Sequence, residues 1–120
     1  MSWYPPGLLR EAIDVTTGAA NVATVRTILA APGAGLRYRL WGYAFGPVST
    51  AQAPGNQRGD TRTSANLVLA QIETAGFNGG AILIPGGLRL PTNDVMNVLD
   101  QSSLAALIVT HLVYYTIEQA

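Results

Sequence analysis

Residues 36–45 decide the fold class of this chain, and they read Leu36-Arg37-Tyr38-Arg39-Leu40-Trp41-Gly42-Tyr43-Ala44-Phe45. Bulky side chains recur here with the alternation of a β-strand and without the spacing of an amphipathic helix. Successive side chains of a strand point to opposite faces, so even-numbered and odd-numbered positions form two separate faces. We expect Leu36 and Leu40 to face the core. The odd-numbered face, which carries arginine and aromatic residues, is then either a contact surface or a second core face.

Similar segments lie on both sides of this stretch, separated by turn-forming residues about every ten positions. They are found at 21–31, 65–73, 81–84, 88–90, 95–100 and 105–118. A helix over 65–73 is the weaker alternative for that segment. Roughly six to eight short strands at this spacing predict an all-β domain, either an antiparallel β-sandwich or a jelly roll. In the last segment we expect Val109, His111 and Val113 to share one face.

The first twenty residues are predicted to form an extended N-terminal arm, which leaves residues 21–120 as the sandwich domain. Pro5-Pro6-Gly7 interrupts regular structure near the start of this arm. Several large apolar side chains of the arm are then free to dock on a surface, either of this domain or of a neighbour. They are Trp3, Tyr4, Leu8, Leu9, Ile13 and Val15.

Residues 46–64 predict a long loop. Pro47, Pro54 and Gly55 interrupt any strand there, and a polar run follows from Gln57 to Ser64. Loops of this length in compact domains are usually functional or disordered.

The charge balance favours a protein that works inside an assembly. The chain has 120 residues, the length of one domain, and 48% of them are apolar. Only 12% are charged, which is about half the ~25% of ordinary domains. Seven arginines cancel seven acidic residues, whereas a nucleic-acid binder usually carries a basic excess. A neutral surface with little charge is a solubility liability for a free monomer, and arginine suits fixed, partly dehydrated contacts.

No motif in the sequence indicates catalysis, a cofactor or a metal. The chain lacks cysteine, which removes thiol chemistry, disulfides and cysteine-ligated metals. His111 is the single histidine, and we expect it to be a satisfied or partly exposed strand residue. Gly33 and Gly35 lack the third glycine of a dinucleotide fingerprint, and no Gly-x-Ser-x-Gly elbow is present. Neither a membrane-length apolar run nor a signal-peptide layout occurs, so we expect synthesis and folding in a cytoplasm without export.

Two stretches resemble small structural proteins of tailed bacteriophages, and the resemblance covers roughly residues 22–118. The first runs from Thr27 to Leu40 and contains the turn Ala30-Ala31-Pro32-Gly33-Ala34-Gly35, followed by a basic and apolar strand. The second runs from Gly79-Gly80 and an apolar strand to Asn93-Asp94, another strand, and a last strand with Tyr114 and Tyr115. Such proteins look like compact β-sandwich or jelly-roll domains of heads, tails and fibres.

The resemblance implies a virion component, and we expect a capsid decoration, or cement, protein that stabilises the outer head surface. Its expected partners are the major capsid protein and further copies of itself, with a trimer favoured. Its location would be the capsid surface of the virion after synthesis in the host cytoplasm. The expected contact residues are Trp3, Tyr4, Leu8 and Leu9 on the arm, and Arg58, Asp60 and Arg62 on the 46–64 loop.

Two alternatives remain open at this point. One is a tail, baseplate or fibre protein built on the same domain. The other is a carbohydrate-binding β-sandwich module that uses Trp41 and Tyr43, since aromatic rings beside arginine can stack on sugars.

Overall fold

The computed structural model describes residues 8–18, 23–47, 56–75, 79–102 and 107–120, and these residues form eight strands and no helix. The strands are β1 (Arg10–Gly18), β2 (Thr24–Leu29), β3 (Leu36–Pro47), β4 (Asn56–Arg62), β5 (Val68–Ala75), β6 (Gly80–Arg89), β7 (Met96–Ser102) and β8 (Leu107–Gln119). The prediction of an all-β fold is confirmed.

Two antiparallel four-stranded sheets make up the fold. The first sheet has the order β1-β8-β3-β6, and the second has the order β2-β7-β4-β5. Consecutive strands cross from one sheet to the other, except for β4 and β5, which are neighbours in the second sheet. This order of eight strands is that of a jelly-roll β-sandwich.

The core lies between the two sheets and is built from alternate residues of each strand. Leu40, Met96, Val98 and Val113 are fully buried there, and Val109 is nearly so. Leu40 therefore points inward, as its alternation predicts, and the odd-numbered residues Val109, His111 and Val113 form the inner face of β8. Leu36 is only half-buried, at the beginning of β3.

A β-bulge at Trp41 reverses the alternation in β3. The pairing with β8 passes from Leu40 opposite Tyr115 to Gly42 opposite Tyr114, so one residue of β3 is extra. One inserted residue exchanges the two faces of the strand that follows it. Tyr43 and Phe45 consequently join the core. The prediction that they share a face with the arginines of β3 is wrong.

Strand β6 pairs with the other edge of β3, and its register also shifts at the bulge. Its register with β3 passes from Leu83 opposite Gly42 to Leu88 opposite Leu40. The predicted strands 81–84 and 88–90 are thus parts of one element, and Pro85-Gly86-Gly87 lies between them. The predicted turn before β3 is present, with φ of 121° at Gly33 and 74° at Gly35.

Two predicted irregular segments contain strands. Residues 56–62 of the expected 46–64 loop form β4, which is paired on both sides, with β5 and with β7. Its polar sequence is held extended by these pairings, and not by an apolar pattern of its own. Residues 10–18 of the expected N-terminal arm form β1, an edge strand paired with β8 along its whole length.

Candidate functional site

An apolar patch covers much of the outer face of the first sheet, away from the core. The strand registers place Ile13, Leu112, Ala44 and Ala81 in one row across all four strands. A neighbouring row contains Tyr114, Gly42 and Leu83. We define the apolar patch by the side chains of Ile13, Val15, Ala44, Ala81, Leu83, Ile108, Leu112 and Tyr114.

The side chains of the patch are open to solvent at both edges of the sheet. Ile13 is 61% exposed and Val15 59% on β1, and Leu83 is 67% exposed on β6. Small residues between them leave an open depression of about 270 Å³, whose lining includes Ala44 and Leu112. Large contiguous apolar surfaces of this kind mark interaction sites in soluble proteins.

An arginine cluster occupies the other end of the same face, and we define it as Arg37, Arg39 and Arg89 with Glu118. Nη2 of Arg37 lies 3.1 Å from Oε2 of Glu118, and Nε of Arg39 lies 2.5 Å from Oε1. Nε of Arg89 is 3.8 Å from Oε2. The hydrogen bond from Arg39 lowers the pKa of Glu118; burial opposes this effect, and Arg37 reinforces it.

Trp41, the bulged residue of β3, contacts the arginine cluster. Its indole Nε1 donates a hydrogen bond to Oγ1 of Thr116 over 2.9 Å, and the guanidinium of Arg39 lies 5.7 Å from its ring. Trp41 is 4% exposed and Tyr43 only 1%. Neither ring presents a free face on which a sugar could stack, as the carbohydrate-binding alternative requires.

A polar network crosses the core between the two sheets. Arg26 of β2 donates to Asp14 of β1 over 2.7 Å and to Asp100 of β7 over 2.5 Å. Asp100 also lies 3.1 Å from Nε2 of His111, whose Nδ1 is 2.7 Å from the hydroxyl of Tyr43. The network therefore links both sheets through side chains of β1, β2, β3, β7 and β8.

The protonation states in this network follow from its charges. Burial acts to raise the pKa of Asp100, but hydrogen bonds from His111 and Arg26 outweigh it and hold the pKa below its ordinary value. An ionised carboxylate only accepts, so Nε2 of His111 carries the proton. Burial raises the pKa of Tyr43 far above its ordinary value, so its hydroxyl stays protonated beside Nδ1 of His111.

This arrangement of Tyr43, His111 and Asp100 ties the sheets together and has no opening to a substrate. His111 is fully buried, and Tyr43 and Asp100 are 1% and 3% exposed. The expectation of a satisfied strand histidine is confirmed. Within the part of the chain that the structure describes, no group of three or more histidine, cysteine, aspartate or glutamate residues could hold a metal ion.

The predicted contact residues fall into three groups. Trp3 and Tyr4 lie outside the described residues. Leu8 and Leu9 precede β1 and are 74% and 46% exposed. Arg58, Asp60 and Arg62 lie on β4.

The expectation that Asp60 is a loop contact is wrong. Asp60 is fully buried, and its carboxylate accepts hydrogen bonds from Nε and Nη2 of Arg62 over 2.7 and 2.5 Å. Alternation along β4 places Arg58 on the same face, with both arginines half-buried. Arg62 is thus occupied by an internal partner, and the three residues lie on one face of a paired strand instead of in an open loop.

The main feature that sequence reasoning did not assemble is the apolar patch. Ile13 and Val15 were expected on an arm, and Leu83 was expected in a short strand without a face. The available signal was that both faces of several segments carry bulky side chains. These side chains form one surface only because the strand order places β1, β8, β3 and β6 side by side.

The fold and the patch together define a jelly-roll β-sandwich with an exposed apolar sheet face and a cationic end. Neither a scan against protein-family models nor a search of curated proteins finds a match for this chain. None of the described residues belongs to a helix long and apolar enough to cross a membrane.

Proposed function

We propose that this chain is a structural subunit of a larger assembly, and specifically a capsid decoration protein of a tailed bacteriophage. In this role it binds the major capsid protein on the outer head surface and stabilises the head. The observation that carries the proposal is the apolar patch, a sheet face whose aliphatic side chains have no cover within the described chain.

Burial of the apolar patch supplies part of the free energy of attachment. Fully burying one aliphatic side chain contributes about 1.5–3 kcal/mol, and Ile13, Val15 and Leu83 are each more than half exposed. A specific interface needs about 800 Å² on each partner. Contacts repeated around a homotrimer add avidity, and binding only to the assembled shell stabilises that shell by linkage.

Two further considerations support the phage assignment within this class. Jelly rolls are an architecture of viral capsid domains, although a fold alone does not define a function. The resemblance of residues 22–118 to small phage structural proteins points in the same direction. A tail or baseplate location uses the same surface, and binding to isolated heads separates the two locations.

The experiment is co-sedimentation of purified protein with DNA-filled heads of the cognate phage that lack it. We expect Val15→Asp and Leu83→Asp each to weaken head binding at least tenfold, because a carboxylate in an apolar interface is costly to dehydrate. Two matched controls lie off the apolar patch. Val25→Asp changes an edge strand of the second sheet, where valine is 47% exposed, and Leu67→Asp changes a leucine that is 65% exposed.

Three comparisons test the proposed contact surface and the proposed location. Equal binding by the patch variants and the wild type, with all variants folded, would contradict the assignment of the contact surface. Binding to isolated tails, with none to heads, would move the protein to the tail. Deletion of residues 1–7 tests Trp3 and Tyr4 separately, and we expect weaker head binding if the arm contributes to the contact.

A further inference from the structure

The arginine cluster concentrates positive charge on a chain that is neutral overall. Three guanidinium groups surround the single carboxylate of Glu118, so two of the three positive charges have no local counterpart. Like charges held together in this way repel one another. A second anion beside Glu118 would relieve that repulsion.

One arginine of the cluster is available to a ligand. Arg89 is 59% exposed, whereas the side chains of Arg37 and Arg39 are 23% and 15% exposed. Its Nε lies 3.8 Å from Glu118, beyond the range of a hydrogen bond. The planar donor groups of Arg89 are therefore free to bind a carboxylate in the bidentate manner that arginine favours.

The rest of the cluster is held rigidly in place. Arg39 donates to the carbonyl oxygen of Gly86 over 2.7 Å and lies over Trp41. It also packs directly on Gly87, where an added Cβ would come within 2.5 Å of its Cγ. A guanidinium fixed in this way loses little conformational entropy when an anion binds beside it.

We propose that the arginine cluster binds carboxylates of an acidic segment of the partner protein, with Arg89 as the primary ligand residue. The purpose of this site rests on the proposed function, since the cluster and the apolar patch lie on one face. A partner segment that carries aspartate or glutamate beside apolar residues would complement both ends of that face. The anion binding itself is a property of the isolated chain.

The test is fluorescence anisotropy of a fluorescein-labelled hexaglutamate peptide titrated with the isolated chain at low ionic strength. We expect saturable binding that weakens as salt is added, because the contact is electrostatic. Arg89→Gln should weaken binding at least fivefold. Arg58→Gln removes the same charge from the second sheet and should change the affinity less than twofold.

Three results would overturn the inference: no saturable binding, equal weakening by Arg89→Gln and Arg58→Gln, or a much higher affinity for inorganic phosphate or an oligothymidylate in competition. The last result would identify a phosphate site instead. Failure of this inference is distinguishable from failure of the proposed function. Leu83→Asn changes no charge, so it is expected to leave peptide affinity nearly unchanged while it weakens head binding, and either measurement can fail without the other.

Discussion

At the scale of single residues, Gly59 controls how closely the two sheets approach. A Cβ at this position would lie 2.3 Å from Cδ1 of Phe45 and 2.6 Å from the hydroxyl oxygen of Tyr43. Both aromatic side chains are buried, so neither can move away without disturbing the core. Overpacking of this kind costs typically about 1–3 kcal/mol. We expect Gly59→Ala to lower the free energy of unfolding by that amount in urea titrations.

Gly35 provides the control for this prediction. It has φ of 74°, and no atom lies within 4 Å of a Cβ built there. Asparagine tolerates this backbone region better than other residues with a side chain. Gly35→Asn therefore adds backbone strain without a steric clash and should cost less stability than Gly59→Ala. An equal loss of stability in the two variants would disprove the steric explanation.

The network around Asp100 predicts a loss of stability in acid. The folded-state pKa of Asp100 lies below its ordinary value, which is about 3.9 in an unfolded chain. Its contribution is therefore complete above that value and is lost as pH falls through the lower folded pKa. The carboxylate of Glu118 also contributes stability that is lost in acid, since its pKa is lowered as well. We expect the urea midpoint to fall as the pH drops below about 4.

Asp100→Asn separates this contribution from general acid effects. The variant removes the carboxylate that Arg26 and His111 share, so we expect a loss of about 3 kcal/mol at pH 7, typical of breaking a buried ion pair. Its urea midpoint should then depend less on pH than that of the wild type. A parallel pH profile in the two proteins would argue against a stabilising Asp100 carboxylate.

At the scale of elements, the bulge at Trp41 decides which aromatic side chains enter the core. Deletion of Trp41 removes the extra residue, and the regular strand that remains still turns Leu40, Tyr43 and Phe45 inward. We expect the deletion variant to keep cooperative unfolding and to lose about 3–5 kcal/mol of stability, because a buried tryptophan side chain is removed. Trp41→Phe keeps the chain length and removes the hydrogen bond to Thr116, so it should remain folded with a modest loss of stability. A deletion variant without cooperative unfolding would contradict the assignment of Trp41 as the inserted residue.

The sequence predicts the strands with apolar alternation and misses those that depend on pairing. Segments such as 36–45 and 105–118 are rich in aromatic and β-branched residues, so their local pattern is enough to identify them. Strand β4 has the polar sequence Asn56-Gln57-Arg58-Gly59-Asp60-Thr61-Arg62, and its extended form depends on β5 and β7 on either side. The bulge could not be predicted from the sequence either, because bulky residues lie on both faces of β3 and the alternation shows no break.

At the scale of the whole molecule, the two outer faces differ in the apolar side chains and the net charge that they expose. On the second sheet, Asp60 is paired with Arg62, and Gln71 donates a hydrogen bond to Glu73. The first sheet instead exposes the apolar patch at one end and uncompensated arginine charge at the other. The candidate surface was beyond sequence reasoning, because residues from β1, β6 and β8 meet only through the strand order. This asymmetry is why we assign the assembly contact to the first sheet.

The most direct test of that assignment measures whether the apolar patch is covered in the assembled state. The chain has no cysteine, so Leu83→Cys and Leu67→Cys each introduce a single thiol at positions of nearly equal exposure, 67% and 65%. The rate of iodoacetamide labelling is measured by mass spectrometry for the isolated protein and for the protein bound to heads. We predict at least tenfold slower labelling at position 83 on binding and little change at position 67. Equal labelling at position 83 in both states would contradict the account.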